Sequence, residues 1–112
     1  MASGAQLSVT DMRQAARHPV EFRAIGEHRR LGDVHLNITN VSAQGFMVSG
    51  LLELGRGERL VVRFPKVGRI EAHLIWVSGE RCGFQFERII RFDDFMAMIE
   101  ALQPNPRLRR DR

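Results

Sequence analysis

Two short runs in the 112-residue sequence carry side chains suited to gripping an anionic purine. The first is Arg13-x-x-x-Arg17 and the second is Asn40-x-Ser42-x-x-Gly45, with 22 residues between them. Arginine presents a rigid fork of N–H donors that matches a phosphate, or the O6 and N7 atoms of guanine, in bidentate fashion. Lysine would supply the charge without the fork. Asn40 and Ser42 add neutral donors and acceptors, and Gly45 allows a close approach of backbone because it lacks a Cβ. Asn40 also suits a plain turn. An Arg59-x-x-x-Arg63 run repeats the first spacing, but it lies downstream of the Asn-Ser-Gly element and inside an apolar alternation.

Composition alone does not single these residues out. Sixteen of the 17 basic residues are arginine, Lys66 being the exception, and the formal net charge is +4. A GC-rich genome would give the same bias, so position has to decide.

The elements that position the two runs are read from the apolar period. Val20, Phe22 and Ala24 alternate with charged residues, and Gly26 to Gly32 reads as a charged turn. Val34, Leu36 and Ile38 then alternate with His35, Asn37 and Thr39. After a break at 40–45, Phe46 and Val48 face one way. Leu60, Val62 and Phe64 follow a glycine-bearing loop. Ile70, Ala72, Leu74 and Trp76 come next, and finally Cys82, Phe84 and Phe86. Period-two runs separated by turn residues predict six strands, each with one face buried. The regular alternation assigns Trp76 to the core, and Cys82 likewise.

From Phe92 the period changes. Phe92, Phe95, Met96, Ile99 and Leu102 mark a helix with one apolar stripe. Asp93 and Asp94 suit its N-terminus as caps and against the dipole, and Pro104 ends it. The helix is expected to cover the open end of the barrel, or the stretch of 70–77 that is apolar on both faces. The predicted fold is mainly β, a six-stranded antiparallel barrel with a C-terminal α-helix. Residues 1–12 read as a flexible arm, 13–103 as one domain and 104–112 as a basic disordered tail. The two runs flank the first two strands, so a hairpin return would bring them to one end of the barrel.

This arrangement resembles the PilZ family, whose signature is an RxxxR followed, one hairpin later, by [D/N]xSxxG. The Gly83-Phe-Gln-Phe86 strand and the closing helix agree, and the likeness covers residues 13–103. The resemblance implies a receptor for the bacterial second messenger cyclic di-GMP, a ligand with two guanines and two phosphates. It implies that Arg13 and Arg17 clamp guanine and phosphate, and that Asn40 and Ser42 hydrogen-bond guanine. Gly45 would admit the ligand close to the backbone. His18 is a possible further contact or a cap to the lead-in, and Val41 and Ala43 offer apolar contact or support. Asparagine where an aspartate can stand forfeits charge assistance, so a lower affinity is expected.

The implied role is that of an adaptor. Ligand binding orders the arginine segment and changes the surface seen by an effector protein, as monomer or homodimer, in motility, pilus or exopolysaccharide control. A PilZ-like module that captures partners without nucleotide is the alternative. A small basic barrel for nucleic acid is the weaker third, since single-strand binders need exposed aromatic platforms and there is no tyrosine. No enzyme is expected: the four histidines lack metal-ligand spacing, there is no Gly-x-Ser-x-Gly elbow, and Gly55-Arg-Gly57 precedes a strand rather than a helix. No metal is expected, nor a disulfide from the single cysteine. With no signal peptide or membrane span in the sequence, the expected location is the cytoplasm.

Overall fold

Alternation of period two, interrupted by tight turns, gives six antiparallel strands in a computed structural model that describes residues 16–102. They are β1 (His18–His28), β2 (Gly32–Ser42), β3 (Gly45–Ser49), β4 (Arg59–Phe64), β5 (Gly68–Ser78) and β6 (Arg81–Phe86). One helix, α1 (Phe92–Leu102), follows. The strands form a closed barrel in the order β1-β2-β3-β6-β5-β4. Arg13, the expected arm over 1–12 and the basic tail over 104–112 lie outside the described residues. The predicted turn over 26–32 is shorter than expected. Gly26 to His28 extend β1, paired with Val34 to Gly32 of β2, so only 29–31 turn.

The inward alternation builds the core as expected, with Leu36, Ile38, Val48, Leu60, Val62, Ile70 and Leu74 at 1% exposure or less. Phe46 sits among other rings. It stacks on Phe84 at 5.0 Å and meets Phe64 edge-on at 5.7 Å, while Phe64 meets Phe86 at 5.6 Å. Such pairs contribute about 0.5–1.5 kcal/mol each beyond the area they bury. Cys82 is in this core, and burial raises its thiol pKa.

The helix closes the end of the barrel where β1 begins and β2 ends. The Ile90 N–H donates to the Ala43 carbonyl at 2.9 Å, and the Phe95 ring meets His18 at 5.3 Å. Its buried stripe is Phe95, Met98, Ile99 and Leu102. Met96, expected to face inward, is exposed, and Met98 takes its place. The same i, i+3, i+4, i+7 spacing runs from Phe95 rather than Phe92, because the fully buried Phe95 anchors the helix. Asp93 and Asp94 stand in the first turn and suit the dipole, though neither caps through a side-chain bond among the described residues. The helix leaves Ile75 and Val77 uncovered. No helix among the described residues is long and apolar enough to cross a membrane.

The opposite end is held by a polar clamp. His28 is buried, and its Nδ1 accepts the backbone N–H groups of Arg30 at 3.1 Å and Leu31 at 3.0 Å. Nδ1 therefore carries no proton, and Nε2–H donates to Glu58 Oε1 at 2.8 Å. Glu58 also accepts from the Gly55 N–H at 2.7 Å and from Arg30 Nη2 at 3.0 Å, which ties the β1–β2 turn to the loop before β4. The Gly55 bond, and after it Arg30, holds the Glu58 carboxyl below its ordinary 4.5. A carboxyl whose pKa is lower folded than unfolded stabilises fully above the unfolded value. That contribution is lost as the pH falls through the folded one. Melting temperature followed from neutral to acid pH should therefore drop more steeply in the wild type than in Glu58→Gln. Parallel curves would contradict the clamp.

Candidate functional site

Two inserted residues, one in β2 and one in β5, turn the polar side chains of the site to the outside of the barrel. Along β2, Leu36 and Ile38 point inward, and strict alternation would send Asn40 inward after them. The pairing with β3 slips between Ile38 and Asn40, so Asn40 lies opposite Met47. Thr39 and Asn40 are then both half-buried on the outer side, Val41 and Ala43 are fully buried, and Ser42 is outward again opposite Gly45. A bulge of this kind re-aims a side chain at the cost of one unpaired residue.

The same device acts in β5. Leu74 pairs with Phe84, but the next partner of Gly83 is Trp76, which leaves Ile75 as the extra residue. Trp76 is thereby on the outer face and only half-buried, which corrects its assignment to the core. A Cβ on Gly83 would collide with the pyrrole side of the Trp76 indole, so the ring lies directly against the Gly83 backbone. Glycine inside a strand often marks such a close approach. Gly83 was the one sign in the sequence of an outward Trp76.

Between the bulges lies a shallow cleft of about 240 Å³ over β2, β3, β6 and β5. Asn40, Ser42 and Met47 line one side, Trp76 and Gln85 the other, with Gly45 and Gly83 in the floor and Arg17 contributing just before β1. The structure thus brings together Arg17, Asn40, Ser42 and Gly45, all four expected site residues that can be placed on it. Val41 and Ala43 support the cleft from the core rather than line it. His18 is turned to Phe95 and does not line it. Trp76, Met47 and Gln85 were not anticipated.

The chemistry of the lining is that of a polar, cationic surface with one aromatic face. Among the described residues no carboxylate lines the cleft, and Arg17 is exposed with no ion pair. The Asn40 amide nitrogen points to Met47 Sδ at 3.8 Å, while its Oδ1 meets no donor among the described residues. Ser42 Oγ accepts the Gln44 N–H at 3.1 Å, which shapes the β2–β3 turn, and its own O–H remains to donate. Gly45 has a packing reason to be glycine. A Cβ there would run into the Phe84 carbonyl oxygen across the β3–β6 pair, and its φ is not in the left-handed region. Among the described residues no group of three or more histidine, cysteine or carboxylate side chains could hold a metal ion.

Comparison with known proteins finds that the family model described as PilZ domain matches residues 11–102, a span that includes both arginines of the first run and the whole barrel. No curated protein matches the chain.

Proposed function

The chain belongs to the PilZ domain family, and we propose that its outer cleft is the receptor site for cyclic di-GMP and that the liganded barrel signals to an effector protein. PilZ domains generally bind this nucleotide. The observation that carries the reading for this chain is the convergence of Arg17, Asn40 and Ser42 on one cleft that no carboxylate of the described residues lines.

The groups present suit the ligand's groups. Cyclic di-GMP carries two negative charges, and the exposed Arg17 guanidinium can take a phosphate or the O6 and N7 edge of guanine. Arg13, four positions earlier, is proposed to take the other. Asn40 Oδ1, which meets no donor among the described residues, can accept from the guanine N–H groups, and Ser42 can donate. The Trp76 face offers a stacking surface, a contact worth about 1–3 kcal/mol per base in proteins that bind single-stranded nucleic acid. Val41 and Ala43 hold the turn that presents these groups, and His18 joins the arginine run to α1 through Phe95.

The signal follows from charge. A ligand held by Arg13 and Arg17 on one side and by the barrel on the other draws the two together. It shifts that equilibrium only by its differential affinity for the two arrangements. The ordered surface is what the effector reads. We take residues 13–103 as the receptor unit and the cytoplasm as its location. The role is binding rather than catalysis.

Calorimetric titration with cyclic di-GMP, with Trp76 emission recorded on the same samples, tests this directly, because Trp76 is the single tryptophan. Saturable heat and a parallel change in emission are expected. Silence in both at high micromolar ligand would leave the partner-binding module without nucleotide as the better reading.

A further inference from the structure

Asn40 is an ambiguous reader of a base, because its amide can present either a carbonyl or an NH₂ group to the cleft, whereas an aspartate presents only acceptors. The structure resolves the ambiguity through a neighbour. The β2 bulge puts Asn40 directly across from Met47 on β3, and the Asn40 Nδ2 group donates to Met47 Sδ at 3.8 Å. Met47 is itself pinned in register, since its carbonyl accepts the Thr39 hydroxyl at 3.4 Å. With the NH₂ group turned to sulfur, Oδ1 is left without a donor among the described residues, and Asn40 lines the cleft.

We infer that Met47 is a positioning residue that fixes the Asn40 amide as an acceptor, so that a neutral asparagine selects the N–H-bearing edge of guanine. The inference rests on the receptor reading above. Thioether sulfur is a weak acceptor, but it has only to bias one amide rotation. Leucine has nearly the same volume and no acceptor, and such swaps are well tolerated by packing. In Met47→Leu the amide is free to turn its NH₂ group into the cleft, where it opposes the guanine N–H donors.

The test is a double-mutant cycle with cyclic di-GMP and cyclic di-AMP as probes, each variant first checked for an unchanged melting temperature. In the wild type, Met47→Leu should weaken cyclic di-GMP binding by about two- to fivefold, the size expected of a weak polar contact. It should also narrow the preference over cyclic di-AMP. In an Asn40→Asp background, which has no amide to orient, the same substitution should change neither quantity. Equal losses in both backgrounds, or none in either, would overturn the positioning role. If neither the wild type nor Asn40→Asp binds cyclic di-GMP, the receptor reading itself is overturned and this inference with it.

Discussion

Arg17→Ala should weaken cyclic di-GMP binding by about 10- to 100-fold in calorimetry, the effect of one or two hydrogen bonds to a charged group at about 1.5–3 kcal/mol. The residue lines the cleft, is exposed and has no carboxylate partner among the described residues, so its removal strands no buried charge and should leave the melting temperature unchanged. Arg17→Lys keeps the charge and loses the fork, and should fall between the two. Affinity should also decline with added salt, as expected of an exposed cation facing a doubly charged ligand. Arg63→Ala is the control. It belongs to the second RxxxR run, but it stands on β4 opposite Arg69 of β5 and does not line the cleft. Wild-type affinity in Arg17→Ala would remove the arginine from the binding surface.

Gly45→Ala is expected to cost stability first and binding only as a consequence. The added Cβ meets the Phe84 carbonyl oxygen, with the Phe84 carbonyl carbon at 3.0 Å and the Gln85 Cα at 3.1 Å behind it. These are backbone atoms of a paired strand and cannot rotate away, so β3 and β6 must part. Overpacking of this kind costs about 1–3 kcal/mol, and in a domain this size 2 kcal/mol lowers the melting temperature by roughly 10 °C. Gly83→Ala makes the informative contrast. There the obstacle is the Trp76 ring, a side chain that can swing out. That variant should lose less stability, yet show altered Trp76 emission and weaker ligand binding. A thermally unaltered Gly45→Ala would show that the β3–β6 pairing is looser than described.

The barrel and its helix were legible in the sequence because burial on one face imposes a period of two, and residues from Val34 to Ile38 or from Leu60 to Phe64 keep that period without interruption. The first half of the site was legible for a different reason. Arginines at a fixed spacing and a polar Asn-Ser-Gly turn are visible as residue types. Trp76 was not, because one extra residue at Ile75 shifts the phase of everything after it while leaving the local composition unchanged. Met47 and Gln85 were passed over because they sit at ordinary outward positions, and their importance comes from what lies across the strand. The helix stripe was misplaced at Met96 for a simpler reason. Met96 and Met98 are equally apolar, and only the seating of Phe95 decides between them.

The two bulges have a consequence for how such a barrel can change over generations. Each decouples the face that lines the cleft from the face that packs the interior, since Asn40 and Trp76 are aimed by an inserted residue and not by the rhythm of the strand. Substitutions at either position can therefore alter what the cleft accepts without disturbing the phenylalanine cluster beneath. Loss of one residue from either strand is another matter: it would rotate a cleft side chain into the oily interior and push a core side chain out to water. Lineages of this fold should tolerate exchanges at the cleft far more readily than shortening of the strands that frame it.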